Sequence, residues 1–385
     1  SDLVRFVVAH EVGHSIGLHH NFIGSNAYTI KQLRDPKFVA ENGVASSIMD
    51  YARFNYVMQP GDGVSPIDYK TGPYDNFAIE WGYKQFPGNL TAKEEIALTN
   101  KIADRQLKDP TLRWDAYSAA LQFDPRIQTE DIGNDAMAAT KLGMKNLERI
   151  MSNIVNAATY EDGQSYDEVK VAYIALAGQF ARELGHVNKY IGGAIDRSEL
   201  AQGHSNTNVY DSFPMSKQRE AMKFMHDYAF KLPKFWMNKE VMKRVGYDFY
   251  MDIVSRVGTR QIDRLGSSAL INRLVKFDAA GLDVYSPVAL MNDLRAGLFE
   301  EAESATKKVS TYRRHLQGHF VNKLIAGLKG PASGKKAVGE DYRSLMRSAL
   351  VTLHKDLSQV AGNKTMTQIH YQNLVAKIAK ALDID

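Results

Sequence analysis

His10 and His14 stand four residues apart in the segment Leu3-Val4-Arg5-Phe6-Val7-Val8-Ala9-His10-Glu11-Val12-Gly13-His14-Ser15-Ile16. Whether two imidazoles at that spacing can act together depends on the backbone between them. Apolar residues at 3, 4, 7, 8 and 12 have the helical spacing of a buried face, so a helix is expected over Ser1 to Ile16. On a helix His10 and His14 lie one turn apart and point the same way, able to bind one metal ion, while Glu11 lies beside them within reach of a water at that ion. This is the HExxH arrangement. Two histidines fill half of a tetrahedral shell, and an open catalytic site needs a third protein ligand and a water. Gly17 follows the last turn, where it can take a left-handed conformation and end the helix, and His20 can then swing back to the metal. With no cysteine in the chain, a metal has to be held by His and carboxylate. His19 is out of register and reads as a supporting or surface residue.

The whole string from His10 to His20 is HExxHxxGxxH and resembles the signature of the metzincin zinc metallopeptidases. That resemblance implies one zinc ion on His10, His14 and His20, with Glu11 as general base, and a tight turn carrying a Met beneath the imidazoles. Ser46-Ser47-Ile48-Met49-Asp50-Tyr51 resembles such a Met-turn, with Met49 as a soft apolar floor. Tyr51 stands where some metzincins carry a Tyr that reaches the metal or the oxyanion; the alternative is an aromatic packed on the turn with its hydroxyl on backbone. Asp50 is expected to cap the turn or to support a His ligand, because the shell is already full.

These residues need a scaffold. Asn26 to Ala45 reads as a connecting loop with a short helix or turn around Thr29 to Arg34, and Gln59 to Asp68 as a turn-rich surface loop in which Asp62 and Asp68 are solvated carboxylates rather than calcium ligands. Gly72 to Tyr83 is expected to be a helix packing against the zinc-site helix. From Thr91 the texture is helix after helix: a capping box at Thr91-Ala92-Lys93-Glu94 opens a helix to about Leu107. Further helices are expected near 134–157, 165–190, 215–230, 238–264, 286–301, 305–329, 339–360 and 365–382, separated by short loops such as Gly330 to Gly334. The fold class is therefore mainly α, with a catalytic part over 1–88 and a helical region over 89–385 that could divide near 205–215. His315 and His319 share a helix face but lack a Glu after the first His and a third ligand, so a structural role is expected. His186 and His204 flank a Gly-containing stretch that could fold over the cleft, and Lys307-Lys308 with Arg313-Arg314 reads as a solvated helix face.

The 48 Lys+Arg against 44 Asp+Glu are scattered, which makes nucleic acid a poor partner, and 44% hydrophobic residues exclude a disordered chain. No apolar run is long enough to span a bilayer. The order of the segments, including Ser47 to Arg53, Tyr74 to Tyr83, Phe213 to Trp236, Arg260 to Leu265, Tyr285 to Glu301 and Tyr312 to Leu324, resembles the Met-zincin-like C-terminal region of large bacterial zinc-dependent metallopeptidases. The resemblance implies export to the periplasm or cell surface, a peptide or protein substrate, and an upstream sheet from the same polypeptide whose edge strand holds that substrate. The rival expectation is a non-catalytic helical binding module in which zinc is structural.

Overall fold

The computed structural model of the chain describes residues 2–52, 54–115, 123–159, 161, 163–196, 209–303, 308–331 and 339–384. Arg53, Lys307, His204 and most of the loop from Gly330 to Gly334 lie outside or partly outside these. The described residues are mainly helical, with two strands of three residues each, β1 (Ala194–Asp196) and β2 (Tyr210–Ser212). No described helix is long and apolar enough to cross a membrane. The chain forms two compact units, Ser1–Asn146 with Ala194–Val209 and Leu147–Gly193 with Tyr210–Asp385.

The first unit opens with α1 (Asp2–Ser15), which carries the HExxH residues. Its apolar positions were expected to be buried, and here the structure differs: Leu3, Val4, Val7, Val8 and Val12 are 51% to 66% exposed. Periodicity reports that a face is apolar and does not say what covers it. The helix is held by its other side, where Phe6 stacks on Tyr69 and His10 and Gly13 are buried. The segment expected to be a loop with one short turn holds more structure, namely 3-10 turns at Gly24–Ala27 and Gln32–Arg34 and a helix, α2 (Pro36–Asn42). Asp35 caps α2 through the amides of Lys37 and Phe38, and Pro36 occupies the first turn, where a missing N–H costs nothing. Leu33, Val39, Val44, Tyr56, Val57 and Ile132 form the core beneath. Asp62 takes a two-pronged bond from Arg34, so its charge is used in an ion pair. Next come α3 (Pro73–Tyr83) and α4 (Ala92–Ala103), the latter opened by the Thr91/Glu94 capping box and continued as a 3-10 turn, Asp104–Leu107. α3 packs on α4, and it meets the end of α1 through the Tyr83 hydroxyl on the Ile16 carbonyl.

A long helix, α5 (Ala136–Ala158), runs out of the first unit. The second unit contains α6 (Asp167–Asn188), α7 (Met215–Phe224), α8 (Lys239–Val245), α9 (Tyr247–Leu265), α10 (Ser268–Ala279), α11 (Pro287–Leu298), α12 (Thr311–Leu328), α13 (Glu340–Ser358) and α14 (Met366–Leu382). The single helix expected over 238–264 is two, because Gly246 sits at φ +90 and turns the chain between α8 and α9. Helix α10 was not expected at all. α7 continues into a π-helical turn, Met225–Phe230, whose last carbonyls accept from the Tyr312 hydroxyl and the Arg313 guanidinium. Arg313 also bonds Glu301 with both prongs and the carbonyls of Gly297 and Leu298. It is therefore a buried tie at 5% exposure, a correction to the solvated face expected at Arg313-Arg314. Gly185 and His186 lie in the last turns of α6 and are buried there, while residues 197–203 of the stretch expected to fold over the cleft lie outside the described residues. His319 bonds Asp263, the structural role expected of it.

Candidate metal centre

The geometry of the site begins with the way α1 ends. Gly17 takes φ +89, Gly17 N–H donates to the His14 carbonyl at 3.0 Å and Leu18 N–H to the Gly13 carbonyl at 2.9 Å. These are the paired bonds of a Schellman cap, which satisfy the last carbonyls and reverse the chain. The reversal brings His20 back to the helix. One ring nitrogen from each of His10, His14 and His20 then lies within 4.8 Å of the others, and no other such cluster of three exists among the described residues.

Each imidazole is oriented by something else. His10 Nδ1 is 2.9 Å from the Ile48 carbonyl and His14 Nδ1 is 2.8 Å from the Leu18 carbonyl. A carbonyl can only accept, so both rings carry their proton on Nδ1 and turn the Nε2 lone pair inward. The His10 Nε2 is fully buried and has no partner in the protein. A buried nitrogen with a free lone pair costs stability unless a ligand takes it, and this orphan faces the other two imidazoles. His20 Nε2 lies 3.2 Å from His14 Nε2 and 2.7 Å from the Tyr51 hydroxyl. Burial, then the neighbouring His14 and His10, push the His20 pKa below its ordinary value, which keeps the ring neutral and able to donate its lone pair. Three imidazoles converging on one orphaned position fit a zinc ion.

Beneath them the Met49 side chain is fully buried against Gly13, where a Cβ would overlap its sulfur. The turn that carries Met49 is fastened by a residue the sequence reading passed over. Asp75, in the first turn of α3, accepts from Ser47 Oγ at 2.7 Å, Ile48 N–H at 2.8 Å and Gly72 N–H at 2.7 Å. Burial raises its pKa even against those three bonds. Since the Ile48 carbonyl orients His10, Asp75 holds the metal centre at one remove. Its signal was legible in principle: Pro73 followed by Asp75 is a helix N-terminus, and a carboxylate there is placed to take backbone amides.

Asp50 was expected to cap the turn or to support a histidine. It takes the Ala52 backbone N–H two residues on, as a cap of the turn would, and its Oδ2 also accepts from Ser25 N–H at 2.6 Å, bracing the neighbouring loop. Burial and the nearby Asp131 raise its pKa well above its ordinary value. Glu11 is exposed on α1 beside the imidazoles, and its charge acts on His20 in the direction that favours a proton. His19 is exposed. On the far side of His20, the Trp114 indole N–H donates to the His20 carbonyl at 2.9 Å. Nothing in the sequence links positions 94 residues apart, and Trp114 was not singled out.

A helix with HExxH, a third imidazole returned by a glycine reversal and a buried Met below define a three-histidine metal-binding unit of metallopeptidase type. The Met-zincin family matches residues 1–306, and the chain belongs to that family. No curated protein and no solved structure matches it.

Proposed function

We propose that the chain is a zinc-dependent metallopeptidase that hydrolyses peptide bonds, with one zinc ion held by His10, His14 and His20. The observation that carries this reading is the convergence of three imidazole nitrogens on a position where the His10 Nε2 is buried without a protein partner, in a Met-zincin chain. A zinc ion held there would supply Lewis acidity toward a water and the scissile carbonyl. Glu11 would act as general base and then general acid, taking a proton from the attacking water and returning it to the leaving amine. The Tyr51 hydroxyl, 2.7 Å from His20 Nε2, would donate to the oxygen on which charge develops. Met49 works as the floor of a Met-turn, and Gly17 as the hinge that delivers His20.

An exposed acid beside the three imidazoles favours catalysis over a purely structural zinc, which has no use for a base. The substrate-holding sheet belongs to an upstream segment of the same polypeptide, and the exposed apolar face of α1 supports this, because such a face gains stability when covered. The setting is the periplasm or cell surface, which fractionation of the native host would test.

Two variants test the reading. Glu11→Gln should keep about one zinc per chain by mass spectrometry and lower peptide hydrolysis by at least ~100-fold. His20→Ala should lose the zinc. Hydrolysis at the wild-type rate in Glu11→Gln would overturn the assignment, and a zinc-replete wild type that cleaves no peptide would favour the structural rival.

A further inference from the structure

His10 and His14 are carried by α1, and a carbonyl at each Nδ1 sets the direction of the ring. His20 has neither support. It stands on irregular chain beyond the Gly17 turn, and its ring bonds to described residues are made by Nε2, the atom that faces the other ligands. A ligand placed in this way keeps its position only if its backbone is held by other parts of the chain.

The peptide group joining His20 to Asn21 is gripped at both of its polar atoms. The His20 carbonyl accepts from the Trp114 indole N–H at 2.9 Å, and the Asn21 N–H donates to the carbonyl of Met49 at 3.1 Å. A planar peptide held at its C=O and its N–H cannot turn without giving up two hydrogen bonds, and its orientation limits where the adjoining Cα–Cβ bond can point. Asn21 then fixes the segment that supplies the indole. Its side chain is fully buried, with Nδ2 donating to the Arg113 carbonyl at 2.9 Å and Oδ1 accepting from Asp115 N–H at 3.1 Å. One bond needs a donor and the other an acceptor, so a carboxylate can replace only one of them. The arrangement closes on itself: Asn21 holds the backbone on both sides of Trp114, and Trp114 holds the carbonyl that precedes Asn21. Phe22, the next residue, stacks on the His20 ring with 5.0 Å between centroids and narrows its rotation.

We propose that Asn21 and Trp114 form a clasp that positions the third ligand, doing for His20 what the Ile48 and Leu18 carbonyls do for His10 and His14. The inference rests on the three-histidine zinc reading and requires no peptidase activity. Both are positioning residues, acting on the backbone of His20, and they make a segment 94 residues away part of the metal centre.

Metal binding by the full chain tests it. Asn21→Leu removes both side-chain bonds at similar volume, and Trp114→Phe removes the N–H and keeps a ring. Each should weaken zinc about 10- to 100-fold in chelator competition, the usual effect of losing a group that orients a ligand. Each should also change the visible absorption of the chain loaded with Co2+, which reports the ligand set and its geometry. Val39→Ala, in the core of the first unit, should lower Tm with zinc affinity and Co2+ spectrum unmoved, which separates positioning from general loss of structure. If Asn21→Leu fails to fold, Trp114→Phe decides, since that side chain is half-exposed. Wild-type affinity in the folded variants, or a weaker affinity with an unchanged Co2+ spectrum, overturns the clasp and leaves the zinc site standing. A folded wild type that takes up no zinc overturns the three-histidine reading, and the clasp with it.

Discussion

Two buried aspartates flank the metal centre, and the structure gives them different work. Asp75 gathers three donors and thereby fixes the carbonyl that orients His10, while Asp50 braces the Ser25 loop. Replacing Asp75 by Asn, with its oxygen kept on the Ile48 and Gly72 amides, turns the other oxygen into a donor that faces the Ser47 hydroxyl. That hydroxyl loses its acceptor while still holding the Met49 amide, and the charge is removed from both amide bonds. Asp75→Asn should therefore weaken zinc about 10- to 100-fold, the usual effect of removing a group that orients a ligand, and lower stability by about 2 kcal/mol. Asp50→Asn keeps an acceptor for Ser25 and should leave zinc affinity within about twofold of wild type. Chelator competition titrations on both variants check the contrast, and equal losses would show that Asp50 supports the ligands after all.

At the level of elements, the positioning of His20 depends on one backbone conformation. Gly17 is at φ +89 with nothing within 4 Å of where a Cβ would stand, so substitution there meets strain and no clash. Gly17→Ala should cost about 1 to 2 kcal/mol and weaken zinc more than that strain alone would, because the return of His20 is built on the turn. Thermal melts with and without added zinc separate the two effects; an equal Tm loss in both would mean that His20 reaches its place by other means. This turn was legible in the sequence because its chemistry is local. The capping box at Thr91 and most helices of the second unit were legible for the same reason. What could not be read was set by contacts distant in sequence. The apolar stripe of α1 announced burial without naming a cover, Arg313 looked like a surface charge until Glu301 met it, and Trp114 reached His20 across 94 residues. The joint at Gly246 and helix α10 were missed for a different reason, since a long run of helical periodicity conceals where one helix ends and another starts.

Over the whole molecule, the dependence of stability on pH is set by buried groups that cannot charge freely, and two in the second unit pull in opposite directions. His370, bonded to the Gln317 carbonyl oxygen, is pushed down to about 4 from 6.5 by burial and then by nearby Arg314 and Lys377. The unfolded chain binds that proton more readily, so stability falls as pH drops from 6.5 towards 4. Glu183 is raised from 4.5 to about 8 by burial, with Gln179 and Arg182 opposing it only in part. Its folded form holds the proton that the unfolded form releases, so its contribution is complete below 4.5 and is lost as pH rises towards 8. The two windows overlap from pH 4.5 to 6.5, where they offset each other, so these two groups leave stability level there and lower it on either side. Glu183→Gln retains an acceptor for the Gln179 amide and removes the group that must ionise, so it should flatten the alkaline arm alone. Melts of the full chain at pH 4.5 and pH 8.5 should show variant and wild type close together at the acid end and the variant higher by several degrees at the alkaline end, as a difference of a few kcal/mol would give. A parallel pair of curves would mean that Glu183 is ionised in the folded protein and that the alkaline arm has another source.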